Sequence, residues 1–213
     1  VDELSILDIS ATRRGRAPNF ELLKDIATEA FMPLSYGGGV TELEQIKKLF
    51  YIGYEKVILN SSFIRTPELI REAVRFAGSQ SIVVSIDAKA DLLGRYICYT
   101  SDGQQKVSKS PVELAKEAQK LGAGELLLNS INRDGEMKGY DLKLVRSVAD
   151  TVSIPVIACG GAGSIEDIKQ VLDQGHADAA AAGSFFVYYG RNKAILITAP
   201  SEEEFLQAGI YKE

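Results

Sequence analysis

Histidine is almost missing from this chain of 213 residues: His176 is the one copy. A Ser-His-Asp triad and a histidine-rich metal site are thereby excluded, and acid–base chemistry falls to carboxylates or lysines. His176 itself follows Gln174-Gly175, where a helical pattern meets an apolar run, and reads as an exposed turn residue. Cysteine is nearly as scarce. Cys98 and Cys159 lie in apolar or glycine-containing segments and are too few for a disulfide framework or a zinc site, so the reducing cytoplasm is the expected compartment. Excess positive charge is lacking as well. With 24 Lys and Arg against 29 Asp and Glu the net charge is −5, which leaves no basic footprint for nucleic acid or anionic lipid. No apolar run reaches the roughly 18 residues of a membrane span, and the opening VDELSILDIS shows no basic-then-apolar signal pattern. Nothing in the composition asks for a cofactor or a metal.

What remains, 46% hydrophobic and 25% charged residues with no Pro-, Ser- or charge-rich linker, reads as a single domain over residues 1–213. Short apolar runs alternate with stretches of helical period. The expected strands are 4–8, 33–36, 56–60, 81–87, 125–129, 155–158 and 177–182; the expected helices are 20–30, 41–52, 66–77, 111–121, 141–148 and 165–174. Thr41-Glu42-Leu43-Glu44 has the form of a capping box, Gly53 is placed to close that helix, and Thr66-Pro67 to start the next. Apolar strands each followed by a helix demand a parallel sheet covered by helices.

An internal repeat selects a closed barrel over an open sheet. Shifting the chain by 122 residues pairs 3–63 with 125–185 without a gap and gives 14 identities in 61 pairs, where chance gives about four. Pro33 falls on Pro155, Gly38-Gly39 on Gly160-Gly161, and Ser62-Phe63 on Ser184-Phe185. The expectation is an α/β fold, a TIM (β/α)8 barrel with two-fold internal repeat, from which the first βα unit is absent in the chain as given, leaving a gap or an exposed core at its start.

In such barrels chemistry sits at the C-terminal ends of the strands. Those positions are Asp8, Gly37-Gly38-Gly39, Asn60-Ser61-Ser62, Asp87-Ala88-Lys89, the 132–135 loop, Gly160 to Gly163, and Gly183-Ser184. Glycine after a strand lets backbone amides approach an anion, and the two related turns suit a ligand with a phosphate at each end. Asp87 ends an otherwise apolar strand, an expensive place for a charge without a purpose. Lys89 suits a phosphate or a carboxylate partner equally, whereas Arg13 and Arg14 read as a solvated loop face. Glu3, Lys56 and Glu125 open strands at the opposite rim, where charges commonly form surface ion pairs of little value, although a charged ring at the barrel floor is the other reading.

Val1-Asp2-Glu3-Leu4 leading to Leu7-Asp8-Ile9, Tyr36-Gly37-Gly38-Gly39-Val40, Ile86-Asp87-Ala88-Lys89, Leu121-Gly122-Ala123-Gly124-Glu125, Asn129 to Gly135, and Ala158-Cys159-Gly160-Gly161 occur in order. The series resembles the cyclase subunit of imidazole glycerol phosphate synthase, a barrel of the ribulose-phosphate-binding type, from residue 1 to about 186. The resemblance implies a lyase that uses ammonia to convert a bisphosphorylated ribulosyl aminoimidazole carboxamide to imidazole glycerol phosphate and an aminoimidazole carboxamide ribotide. It implies Asp87 as one of two catalytic aspartates, the other belonging to a strand ahead of Val1. Asp8 and Asp134 match substrate-contacting carboxylates; Gly39, Asn60 and Ser61 match one phosphate site, and Gly135, Gly161, Gly183 and Ser184 the second. Glu3, Lys56 and Glu125 match three of four residues gating an ammonia passage. A separate glutaminase would dock on that face, near Glu55. From Phe186 to Ile197 the tail is similar instead to paralogues found with surface-polysaccharide genes, which are thought to deliver ammonia for acetamidino-sugar formation; Asn132, where the pathway enzyme usually has Asp, leans the same way. A sister sugar isomerase and a non-catalytic glutaminase-binding scaffold are the remaining alternatives.

Overall fold

The computed structural model describes residues 1–189 and 194–211. Seven parallel strands run in the order of the chain: β1 (Leu4–Leu7), β2 (Leu34–Gly37), β3 (Lys56–Leu59), β4 (Ile82–Ala90), then β7 (Glu125–Ser130), β8 (Val156–Cys159) and β9 (Ala179–Ala181). Between β4 and β7, strands β5 (Tyr96–Thr100) and β6 (Gln105–Val107) extend β4 as an antiparallel hairpin. Helices α1 (Phe20–Glu29), α2 (Leu43–Tyr51), α4 (Glu68–Ala77), α5 (Pro111–Leu121), α6 (Leu142–Ala149) and α7 (Ile165–Asp173) return the chain between strands. Two short helices, α3 (Ser61–Arg65) and α8 (Ser184–Val187), follow β3 and β9 directly. A 3-10 turn at Ser79–Ser81 leads from α4 into β4, and a two-stranded ribbon, β10 (Tyr188–Tyr189) with β11 (Ala194–Ile195), and α9 (Glu202–Gln207) complete the described elements. The strand-and-helix alternation is that of the (β/α)8 barrel class.

The period-two alternation of the strands separates two cores. Val57, Leu59, Ile82, Val84, Ile86, Leu126, Leu128, Val156 and Ala158 pack outward against the helices. Ile58, Val83 and Leu127, with Ile157, Cys159 and Ala181 beside them, form a smaller inward cluster. Lys56 on β3 reaches both Glu3, ahead of β1, and Glu125 on β7, so the sheet curls around that inner face. β1 and β9 are its two edges. At the first of these Leu4, Leu7 and Ile9 are exposed. The tail packs Phe205 into the outer core and brings the Tyr211 hydroxyl to Asp2 at 3.1 Å.

Helix boundaries agree with the sequence pattern to within two residues, with one correction at α2. Thr41 and Glu44 do not form a capping box. The backbone amide of Thr41 donates to the side chain of Gln45 at 2.7 Å, Glu44 is drawn away to Lys47, and Glu42 stands at the cap with no side-chain bond. True capping boxes occur at Ser110 with Glu113 and at Ser201 with Glu204. Gly53 does close α2, at φ +108°, donating to Phe50 while Tyr54 reaches back to Leu49. His176 lies in an exposed turn, held by Asp150 and Arg146. Both cysteines are free.

Candidate active site

On β4 the inward positions are Val83, Ser85 and Asp87, and the strand brings the Asp87 carboxyl to the C-terminal mouth of the curl. Its partners are neutral. The amide of Asn60, at the start of α3, donates to Asp87 Oδ2 at 3.3 Å and to the Ser85 carbonyl at 3.1 Å; the Ser85 hydroxyl donates to Oδ1 at 3.3 Å. Asn129 stands opposite Asp87 in the β4–β7 ladder, and its polar side chain works to lower the Asp87 pKa. The residue keeps an edge toward solvent while its carboxyl sits deep among protein atoms. Burial pushes its pKa up to about 6, against the polar side chains of Asn129 and Ser85, and the negative field of Asp134 and Asp102 adds to the rise. Such a group can hold or release a proton near neutrality, which is what a general acid or base needs.

Asp8 ends β1 at the same mouth. Its Oδ1 accepts from the backbone and hydroxyl of Ser10, and Arg16 lies 3.6 Å from Oδ2. Arg13 is not simply solvated: it pairs with Asp102, in the turn of the β5–β6 hairpin, at 3.3 Å. The same turn donates from the Ser101 amide to the Ser61 hydroxyl at 3.2 Å, while Arg65 donates to the Ser101 hydroxyl. The hairpin thus reaches over the start of α3. Lys89 is exposed.

The repeat is visible in backbone geometry. Gly38, at φ +129°, approaches so closely that a Cβ there would lie 2.5 Å from the Asp8 carbonyl; at Gly160, φ +87°, it would lie 2.8 Å from the Ser130 carbonyl. Asp8 and Ser130 are themselves related by the 122-residue shift. Gly39 and Gly161 press in the same manner on the carbonyls of Arg16 and Gly139. The residues leading into the short helices also match, Asn60 at φ −115° and Gly183 at φ −113°. The Ser62 hydroxyl donates to the Val40 carbonyl, fastening α3 to the first glycine turn. On the other side, a Cβ on Gly135 would stand 3.9 Å from the Ser184 hydroxyl. Gly39, Asn60 and Ser61 therefore gather on one side, and Gly135, Gly183 and Ser184 on the other, with Gly161 in the adjoining turn.

At the opposite end the Lys56 ammonium donates to Glu3 at 2.7 Å and to both oxygens of Glu125 at 2.9 Å. Burial alone would lower the Lys56 pKa, but hydrogen bonds and charge from the two glutamates outweigh it and hold it above its ordinary value. The ammonium stays charged at neutral pH. Glu55 beside it is exposed. Between this floor and Asp87 lies the layer of Ile58, Val83 and Leu127.

Among the described residues no group of three His, Cys, Asp or Glu side chains could hold a metal, and no helix is long and apolar enough to cross a membrane. Sequence reasoning passed over Asn129 as a site residue. The signal was present: Glu125, Leu127 and Asn129 share the inward parity of β7, and Asn129 ends an apolar run as Asp87 does.

Comparison with known proteins gives a consistent result. A model of the family described as "Histidine biosynthesis protein" matches residues 1–193. A Pseudomonas aeruginosa protein named "Putative imidazole glycerol phosphate synthase subunit hisF2" is 44% identical over 200 residues, 94% of this chain and 80% of the relative. A Leptospira interrogans protein, "Putative imidazole glycerol phosphate synthase subunit HisF", is 45% identical over 204 residues, 95% of this chain and 80% of its own length. One from Vibrio vulnificus, named as subunit hisF3 of the same synthase, is 44% identical over 204 residues and is covered to 78%.

Proposed function

Since the chain belongs to the family of histidine biosynthesis proteins, we propose that it is the ammonia-using cyclase subunit of an imidazole glycerol phosphate synthase. One observation carries the reading: a buried carboxyl with its pKa raised to about 6 stands at the mouth, directly above a floor built from an ammonium and two carboxylates. The two glycine turns and the polar ends of β3 and β9 would take the terminal phosphates of the substrate, Gly39, Asn60 and Ser61 at one end and Gly135, Gly161, Gly183 and Ser184 at the other. Asp8 and Asp134 would contact the groups between. Ammonia would enter past Glu3, Lys56 and Glu125, cross the apolar layer as the neutral molecule, and attack the ribulosyl carbonyl. Asp87 would move the protons that closure of the imidazole ring and release of the ribotide require, a role worth roughly a hundredfold or more in rate.

Ammonia itself would come from a glutaminase subunit docked on the floor face, where Glu55 is exposed. The charged floor cluster favours this reading over a sugar isomerase, which needs no passage. A direct test supplies the purified protein with the bisphosphorylated ribulosyl substrate and ammonium chloride. Formation of imidazole glycerol phosphate, lost on Asp87→Asn, supports the cyclase; silence from the protein, with and without a glutaminase, overturns it.

A further inference from the structure

We propose that Arg65 is a positioning residue for the substrate phosphate at the first glycine turn, acting through the Ser101 turn of the β5–β6 hairpin and supplying positive charge to a site otherwise built from neutral donors. This rests on the cyclase reading above, with its two phosphate sites.

The polar groups gathered at the first glycine turn are neutral and partly committed. The Asn60 amide already serves Asp87 and the Ser85 carbonyl, and the Ser62 hydroxyl serves the Val40 carbonyl. Two arginines between β1 and α1 stand nearby, but Arg13 pairs with Asp102 at 3.3 Å and Arg16 approaches Asp8 at 3.6 Å. Arg65 differs from both. Its guanidinium donates to the Ser101 hydroxyl at 2.8 Å and to the Gln105 side-chain carbonyl at 3.2 Å, and it forms an ion pair with no carboxylate among the described residues. A guanidinium with neutral partners beside an anion site keeps its charge available to that anion.

A short chain of hydrogen bonds connects it to the site. Ser61 and Arg65 lie four residues apart on α3, the spacing that sets two side chains next to each other on a helix. The Ser101 amide donates to the Ser61 hydroxyl at 3.2 Å, and both serines are buried. A hydroxyl has one proton to give. With the Ser101 amide filling an acceptor position, the Ser61 proton is left to Asn60 Oδ1 at 3.4 Å, a long contact that a phosphate oxygen can displace. Ser101 and Asp102 take left-handed backbone, φ +55° and +60°, without being glycine, and such a turn persists only where its surroundings fix it. Arg65 grips that turn from the α3 side. The side chain that brings the charge therefore also holds the amide that leaves the Ser61 proton free for the ligand.

The test compares wild type with Arg65→Gln, Arg65→Lys and Arg71→Gln in steady-state turnover, varying the bisphosphorylated substrate and ammonium chloride separately. Arg71, exposed on α4 and paired with Glu68, shows what the loss of one positive charge does away from the site. Arg65→Gln should raise KM for the bisphosphorylated substrate about tenfold, the scale of one charge-assisted hydrogen bond, with KM for ammonia and kcat unchanged. Arg65→Lys, which keeps the charge and a donor, should recover most of the loss, and Arg71→Gln should match wild type. An unchanged KM in Arg65→Gln, an equal rise in Arg65→Lys or in Arg71→Gln, or a fall in kcat alone overturns the proposal and leaves the cyclase reading standing. Absence of wild-type turnover overturns the cyclase reading, and inorganic phosphate then tests the anion site by itself. At equal ionic strength it should raise the Tm of wild type and of Arg65→Lys more than that of Arg65→Gln. Equal shifts in the three proteins, or none, overturn the proposal as well.

Discussion

At the floor of the curled sheet, the carboxylates of Glu3 and Glu125 share the Lys56 ammonium at 2.7–2.9 Å; at the mouth, Asp87 is met by Asn60, Ser85 and Asn129, all neutral, and pairs with no cation among the described residues. Both sites lie on the inner face of one sheet, Lys56 and Glu125 at the floor ends of β3 and β7 and Asp87 toward the mouth end of β4. Their difference shows that partner chemistry, more than depth, decides what a charge can do. The two carboxylates in contact with Lys56 hold its pKa above the ordinary value, so the ammonium stays charged across the working pH range. Neutral donors stabilise a carboxylate less than burial destabilises it, so Asp87 titrates near neutrality.

The largest break in this comparison comes from removing the titratable group. Asp87→Asn keeps the shape and the contacts with Ser85 and Asn60, and should lower kcat for the ammonium-dependent reaction by about 10²- to 10⁴-fold. KM for the bisphosphorylated substrate should change little. An Asn variant with near-native kcat in the ammonium chloride assay would remove Asp87 from the chemistry.

Stability should separate the same two proteins as a function of pH. A folded-state pKa of about 6 against the ordinary 3.8 means that folding tightens the hold on this proton. The contribution is therefore fully present below about pH 4 and is lost as pH rises through 6. At 1.36 kcal/mol per unit it amounts to about 3 kcal/mol. Urea titrations at pH 4 and pH 8 should show Asp87→Asn gaining on wild type by up to that amount at pH 8, and a constant difference between the two pH values would contradict the assigned environment.

Glycines sharpen the contrast further. Gly38→Ala at the mouth places a methyl 2.5 Å from the Asp8 carbonyl with φ at +129°, whereas Gly53→Ala at the floor end of α2 meets only the Ala27 methyl at 3.7 Å, with φ at +108°. The first carries both collision and strain and should cost about 3 kcal/mol; the second carries strain alone and should cost about 1 kcal/mol. Equal losses in denaturant would mean that the mouth turn yields without effort.

Much of this was legible in residue order. Apolar runs with helical stretches between them gave the seven parallel strands to within two or three residues at each end, because a strand buried on both faces has no polar interruption to blur it. Asp87, Lys56, Glu3 and Glu125 stood out as charges at the ends of such runs. The β5–β6 hairpin was missed: its turn, Ser101 and Asp102 at φ 55° and 60° followed by Gly103, is fastened by Ser61, Arg65 and Arg13 from distant loops. α3 and α8 were missed because a helix of one turn has no period to detect. Thr41-Glu44 misled because Gln45 outcompeted the expected partner, a contest between neighbouring side chains that spacing alone does not decide.

The smallest expected effect tests the floor itself. Lys56→Met keeps most of the stem and removes the ammonium, leaving two carboxylates, each about a quarter or less exposed, facing one another where one cation had served both. Partial exposure limits the penalty, so a loss of about 1–2 kcal/mol in low-salt denaturation is expected, between the values for exposed and fully buried pairs. If repulsion is the cause, 1 M salt should shrink the loss, and Lys56→Met with Glu125→Gln should recover most of it, since one neutral amide can then donate to Glu3. If the loss is instead due to packing, neither salt nor the second substitution will change it. The floor would then owe its stability to the lysine stem, and pairing would no longer explain why its charges behave unlike Asp87.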